Sequence, residues 1–203
     1  MLKTFRESLC AGILITIGGT VFLSCENKTA GAVLFSVALL CICYKGYYLF
    51  TGKIGYIVEQ HKKQDFLNLA VGLFGNLIAT FLLGMLLRTV LPNIGEKAAE
   101  MCSAKLAQFP LYTFIRGFFC GILMYLAVSI YKEKNSVLGI LFCVPVFILC
   151  GFEHSIADMF YLGASGIYSV KIILFTALVV AGNTFGAIVL PLLKGVHTNE
   201  KQG

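Results

Sequence analysis

Six runs of the chain carry no charged residue: Ser8 to Cys25, Thr29 to Tyr44, Phe66 to Leu87, Gly117 to Tyr131, Ser136 to Phe152 and Ile172 to Leu193. With its apolar flanks, each run approaches the roughly 20 residues that an α-helix needs to cross the ~30 Å hydrocarbon core of a bilayer. Only 13% of the residues are charged, against about 25% in an ordinary soluble domain. Lipid offers no partner for backbone N–H and C=O groups, so spans of this length have to be helical. The predicted spans cover residues 8–25, 29–50, 66–92, 108–131, 136–162 and 170–194. They leave no length for a separate soluble domain, so residues 1–203 read as a single all-α transmembrane domain. The first run has no small-residue cleavage site before the next apolar run, and reads as a span and not as a signal peptide.

Short loops orient the spans. If the first span starts inside, Lys3, Arg6, Lys53, Lys62, Lys63, Lys132, Lys134, Lys194 and Lys201 share one side. Lys28, Lys97 and Lys105 fall on the other, with Arg88 and Arg116 near span ends. The positive-inside rule then predicts a multi-pass protein with both termini cytoplasmic. The net charge of +6 belongs to this topology signal and does not point to nucleic acid. Lys45, inside the second span, has no assignable role.

Within the fifth span, Gly151-Phe152-Glu153-His154-Ser155-Ile156-Ala157-Asp158-Met159-Phe160 sets two carboxylates and an imidazole among apolar residues. Ionisable groups at membrane depth are costly and mark transport pathways or proton relays. Glu153 and His154 are adjacent, about 100° apart on a helix. Glu153 therefore reads as a cap on backbone amides, or a partner of a facing loop, and not as a group that handles solute.

The chain also repeats itself. Cys10-Ala11-Gly12-Ile13-Leu14 echoes Cys120-Gly121-Ile122-Leu123, and Phe74-Gly75-Asn76 echoes Ala181-Gly182-Asn183. Each half holds three spans, residues 8–92 and 108–194, and an odd number forces the second copy to enter the membrane upside down. Inverted repeats of this kind typify transporters, with the pathway at the repeat interface. The second and fifth spans correspond, and both are interrupted: at Gly46-Tyr47-Tyr48-Leu49-Phe50-Thr51-Gly52-Lys53 and from Gly151 onward. Irregular backbone at this depth is tolerated only where protein buries it or a wet cavity lines it. Facing breaks would bring Thr51 near His154, a hydroxyl and an imidazole suited to a small polar solute.

Six of the eight cysteines, Cys10, Cys41, Cys43, Cys120, Cys143 and Cys150, lie in spans, where cysteine behaves as a small apolar residue. Cys25 and Cys102 fall in outward loops, which leaves a disulfide between them open. No Cys/His spacing predicts a metal, and nothing predicts a cofactor. A membrane-embedded enzyme is the rival class, yet no GxSxG or HExxH arrangement occurs, so no catalytic residue is assigned. A purely structural membrane subunit would have little use for Glu153, His154 and two interrupted spans.

Leu49-Phe50-Thr51-Gly52, the Gly75-Asn76 and Gly182-Asn183 pairs, Arg116-Gly117-Phe118-Phe119-Cys120 and above all Gly151-Phe152-Glu153-His154-Ser155 resemble the formate/nitrite transporter family, over nearly the whole chain and in the family's order. The resemblance implies an aquaporin-like architecture in a plasma (inner) membrane. It also implies a homopentamer with one pore per subunit, carrying small monovalent weak-acid anions such as formate, nitrite or hydrosulfide, or their neutral acids.

By position the resemblance makes His154 the central pore histidine and Thr51 the loop threonine facing it. Phe35, Leu39 and Phe147 become apolar constriction residues, Lys105 a vestibule lysine that draws anions to the outer mouth, and Asn76 and Asn183 the asparagines that brace the broken helices. Lys53, Gly121 and Asp158 stand where the family pattern has asparagine. His154 has two open roles, giving up a proton to the solute or orienting it by a hydrogen bond, with Thr51 supplying a second bond.

Overall fold

The computed structural model describes residues 1–195, so Lys201 of the inward-facing set lies outside the described residues. Among the described residues all regular structure is helical. Five helices are long and apolar enough to span a membrane: α1 (Leu2–Ser24), α2 (Lys28–Lys45), α4 (Lys63–Val90), α6 (Pro110–Lys134) and α9 (Lys171–Lys194). The short α3 (Phe50–Lys53) runs into a 3₁₀ turn over Ile54–Val58, and α5 is Pro92–Leu106. The predicted fifth span is two pieces, α7 (Leu138–Leu149) and α8 (Ser155–Ser165). At 1.5 Å per residue these are about 18 and 16 Å long. Neither crosses alone, and end to end they match the bilayer.

Three expectations need correction. The second span does not run to residue 50, because α2 stops at Lys45 and Gly46 turns left-handed at φ 69°. Gly151 does the same at φ 68°, a region open to glycine because it lacks a Cβ. The second interruption is shorter than predicted, since residues 155–160 are helical. Residues 93–106 form most of α5, where no helix was expected. This helix is amphipathic and buries Ile94, Gly95, Ala98 and Cys102, so it carries too few apolar residues to register as a span.

Two asparagines hold the breaks. Fully buried Asn76 on α4 accepts a hydrogen bond from Phe50 N–H at 2.8 Å and donates to Ser8 C=O at 2.8 Å and Tyr48 C=O at 2.9 Å. Fully buried Asn183 on α9 accepts from Ser155 N–H at 2.9 Å and donates to Gly117 C=O at 2.9 Å and Glu153 C=O at 2.8 Å. Each amide thus ties its own long helix to a second (α1 or α6) and to one break. The partners in the two breaks sit in one register: Gly46 with Gly151, Tyr48 with Glu153, Leu49 with His154, Phe50 with Ser155. Backbone angles at Leu49 (φ −104°, ψ 120°) and His154 (φ −109°, ψ 109°) agree too.

Gly12 and Gly121, the echoed glycines, make the close helix approach possible. A Cβ on Gly12 would crowd Ala79 and the Asn76 carbonyl, and one on Gly121 would collide with the Asn183 carbonyl. Gly121, one of the three departures, is therefore a packing requirement of the α6–α9 contact. Large apolar side chains such as Phe74, Phe142 and Ile173 face outward, as the lipid-facing surface of a membrane protein requires.

Candidate transport pathway

The register brings Thr51 and His154 together. Thr51 Oγ1 lies 2.9 Å from His154 Nε2, and both residues are buried. His154 is also the N-cap of α8, where its Nδ1 accepts the Ala157 N–H at 3.1 Å. An accepting Nδ1 carries no proton, so the ring is the neutral tautomer with the hydrogen on Nε2, which donates to Thr51. The threonine hydroxyl keeps its own hydrogen available for a third group.

The pair joins two breaks of matched backbone but different side chains. Where one break presents His154 the other presents Leu49, and where one presents Thr51 the other presents Ile156. The polar contact joins the two breaks because their matched positions differ in chemistry.

A cavity of about 260 Å³ opens beside His154, lined among others by Phe35, Lys105, Arg116, Phe147, Glu153 and Asp158. Another, of about 150 Å³, is lined by Leu39, Leu49, Gly52, Lys53, Tyr131 and Lys132. The two cavities share no lining residue, and Phe35, Leu39 and Phe147 are all buried. Phe35 meets Phe147 edge-on at a ring separation of 6.4 Å, and Phe147 stacks on His154 at 5.5 Å and 17°. The stack leaves the imidazole edge, not its face, as the polar element.

Beside His154 sits a charged cluster. Lys105 Nζ pairs with Glu153 Oε2 and, at 3.0 Å, with Asp158 Oδ1, while Gln108 Nε2 donates to Glu153 Oε1 at 2.8 Å. Burial lowers the affinity of the Lys105 ammonium for its proton, but Asp158 and Glu153 together more than offset this and hold it above the ordinary lysine range. Glu153 neither caps amides nor bonds the break that carries Thr51, its two expected roles. Its side chain belongs to Lys105 and Gln108, because the break turns it toward α5. The lysine expected to draw anions is thus engaged by two carboxylates. Asp158 Oδ2 is buried without a hydrogen-bond partner.

Sequence reasoning missed Gln108, whose only signal was its position three residues after Lys105, and it assigned Asp158 no partner. Lys45 falls exposed in the last turn of α2, where a cation complements the helix dipole. Cys25 and Cys102 are both free thiols, the latter buried. Among the described residues no group of three or more His, Cys, Asp or Glu is placed to hold a metal ion.

Comparison with known proteins agrees on the class first: a multi-pass membrane transporter, not an enzyme. The chain belongs to the formate/nitrite transporter family, whose profile matches residues 1–194. It is 30% identical over 179 residues to an uncharacterized transporter, YwcJ, of Bacillus subtilis (strain 168), covering 78% of this chain and 70% of that one. It is 25% identical over 187 residues to the formate channel FocA of Escherichia coli (strain K12), where the chain spans 65% of the relative's length. Among solved structures, a pentameric formate channel with formate bound superposes with a TM-score of 0.78 at 25% identity, covering 95% of both chains. An ion channel of the same family gives 0.74 at 21% identity, covering 95% of this chain and 87% of that one.

Proposed function

We propose that this protein conducts small monovalent weak-acid anions (formate, nitrite or hydrosulfide) across a plasma (inner) membrane, proton-linked, along a path from one cavity to the other past His154 and Thr51. The observation that carries this reading is the buried Thr51–His154 hydrogen bond, with His154, Phe35 and Phe147 lining one cavity and Leu39 the other.

Magnitudes favour crossing as the neutral acid. Moving a bare ion of carboxylate size into a medium of low dielectric costs ~20 kcal/mol in the idealised limit. Protonating a carboxylate of reference pKa about 3.5 at pH 7 costs about 5 kcal/mol. Phe35, Leu39 and Phe147 impose the first cost, and protonation of the solute avoids it. The acceptor role of His154 Nδ1 supports an orienting imidazole, with Nε2–H and the Thr51 hydroxyl as its hydrogen-bonding edge, and a proton that arrives with the solute. Glu153, Asn76 and Asn183 support the pathway without touching solute, and Lys105 lines its vestibule.

The chain in this reading is one transport domain of two inverted repeats of three spans, with both termini cytoplasmic. The halves' matched hydrogen bonds support it. A homopentamer with one pathway per subunit is supported by the solved neighbour described as pentameric and by the apolar outer faces. Uptake of labelled formate, nitrite and hydrosulfide into proteoliposomes tests the reading: saturable flux of at least one is expected, and impermeability to all three in a folded oligomer would overturn it.

A further inference from the structure

The register that equates Gly46 with Gly151 and Leu49 with His154 also equates Lys53 with Asp158, Ile42 with Phe147 and Tyr47 with Phe152. The first member of each pair lines the smaller cavity and the second lines the larger. The two cavities are thus lined by matched positions, and in the path proposed above they lie on opposite sides of the constriction. At one equivalent position their charge is inverted, a lysine in one and an aspartate in the other.

The remaining lining residues extend that inversion. In the larger cavity Lys105 is paired with Glu153 and Asp158, so these two carboxylates balance Lys105 and the rim residue Arg116. In the smaller cavity Lys53 and Lys132 are the charged lining groups. Among the described residues no carboxylate lies within ion-pair distance of either ammonium.

Asp65 lines an adjoining cavity with both lysines but lies beyond ion-pair distance of either, and its Oδ2 accepts the Lys62 N–H at 3.0 Å. Lys132 Nζ sits 3.7 Å from the centre of the Tyr56 ring, and so lies over an aromatic face instead of reaching out to lipid headgroups as a mere topology signal would. Leu39 and Leu49 line the same cavity, and Leu39 belongs to the apolar constriction of the proposed path.

Resting on the transport function proposed above, we propose that Lys53 and Lys132 form an anion-capture site for a small monovalent anion, at the mouth opposite Lys105. The pathway therefore loads anions from the Lys53 side at lower concentration than from the Lys105 side. Two cations with no carboxylate in ion-pair range among the described residues, at a cavity with apolar walls, concentrate anions there, and fields of this kind raise capture rates by 10-fold or more. A cavity of about 150 Å³ admits an anion the size of formate or nitrite with several waters, each about 30 Å³.

The test uses the reconstituted oligomer and two readouts. First, lysines are acetylated with a limiting membrane-permeant reagent in formate, in nitrite, or in gluconate at equal ionic strength, and followed by peptide mass spectrometry. Formate and nitrite are expected to slow acetylation of Lys53 and Lys132 severalfold while Lys28 is unchanged. Lys53→Asn should abolish the protection at Lys132. Equal rates in formate, nitrite and gluconate would overturn the site, whatever the flux. Second, initial formate flux is measured from each side of oriented vesicles. Half-saturation is expected about tenfold lower from the Lys53 side, with Lys53→Asn plus Lys132→Gln removing the difference. Identical half-saturation from both sides in the native protein would likewise overturn it. Protection without any flux would instead uphold the site and sink the transport reading.

Discussion

Replacing Asn183 by leucine, a side chain of similar volume, removes three hydrogen bonds at once. The Gly117 carbonyl lies inside α6 and keeps its helical partner, so its loss is minor. Ser155 N–H and Glu153 C=O lie at the break and have Asn183 as their hydrogen-bond partner. A buried backbone group left unpaired costs ~1–3 kcal/mol, so the two together cost about 2–6 kcal/mol. Opening of the break should then become easier by at least ~30-fold, taking 1.4 kcal/mol per factor of ten. Hydrogen exchange of the peptide covering residues 150–157, followed by mass spectrometry in mild detergent, reads this directly, and thermal unfolding of the oligomer reads its global share. Asn76→Leu should act likewise on residues 46–52 and leave 150–157 nearly unchanged. If Asn183→Leu exchanges at the native rate throughout residues 150–157, the asparagine does not hold the break and the reasoning fails.

Lys105→Met should destabilise the protein by about 3–5 kcal/mol, because it strands two buried carboxylates. Adding Glu153→Gln and Asp158→Asn should recover much of the melting temperature, and no recovery would show that packing and not charge was lost. The Lys105 proton is held above the ordinary lysine range, so the lysine's share of stability is full below the ordinary lysine pKa and falls only as pH rises beyond it. The offset between wild type and the Lys105→Met/Glu153→Gln/Asp158→Asn variant, which strands no carboxylate, should therefore stay constant in melting curves between pH 7 and pH 9. Reporter fusions after Lys63, Lys97 and Lys134 should read inside, outside, inside, and an outside signal at Lys63 would remove the inverted repeat. Brief maleimide treatment of the folded protein should spare buried Cys102 and Cys120 and label both once the protein is unfolded, with equal labelling before and after unfolding indicating a looser packing than described.

Much of the fold was legible because lipid makes the code simple: long charge-free runs must be helices, and the exceptions mark the pathway. The interruptions at Gly46 and Gly151 could be read from glycine and polar residues where a span should continue, and the Thr51–His154 contact followed from pairing the breaks. The extent of the second break was not legible. Whether residues 155–160 form helix depends on caps from His154 and from Asn183, a residue 28 positions away. α5 escaped because its apolar residues face one way only. The cluster around Lys105 was visible as separate residues but not as a unit, because its geometry depends on the way α5 packs against α8. The same holds for Lys53, whose meaning rests on the charge of its equivalent in the other half.

The central claim is that a weak acid crosses by hydrogen bonding to the edge of a neutral His154, next to Thr51. Initial formate flux into proteoliposomes, measured across pH for wild type, His154→Asn and His154→Leu, tests it most directly, with oligomer state checked for each. The account predicts that wild-type flux rises as pH falls, and that His154→Asn, which retains donors and an acceptor, conducts with the same pH profile. His154→Leu should lose at least about tenfold, the worth of a ~1.4 kcal/mol hydrogen bond. A His154→Leu oligomer that conducts at the native rate, or a His154→Asn protein whose flux no longer responds to pH, would contradict it.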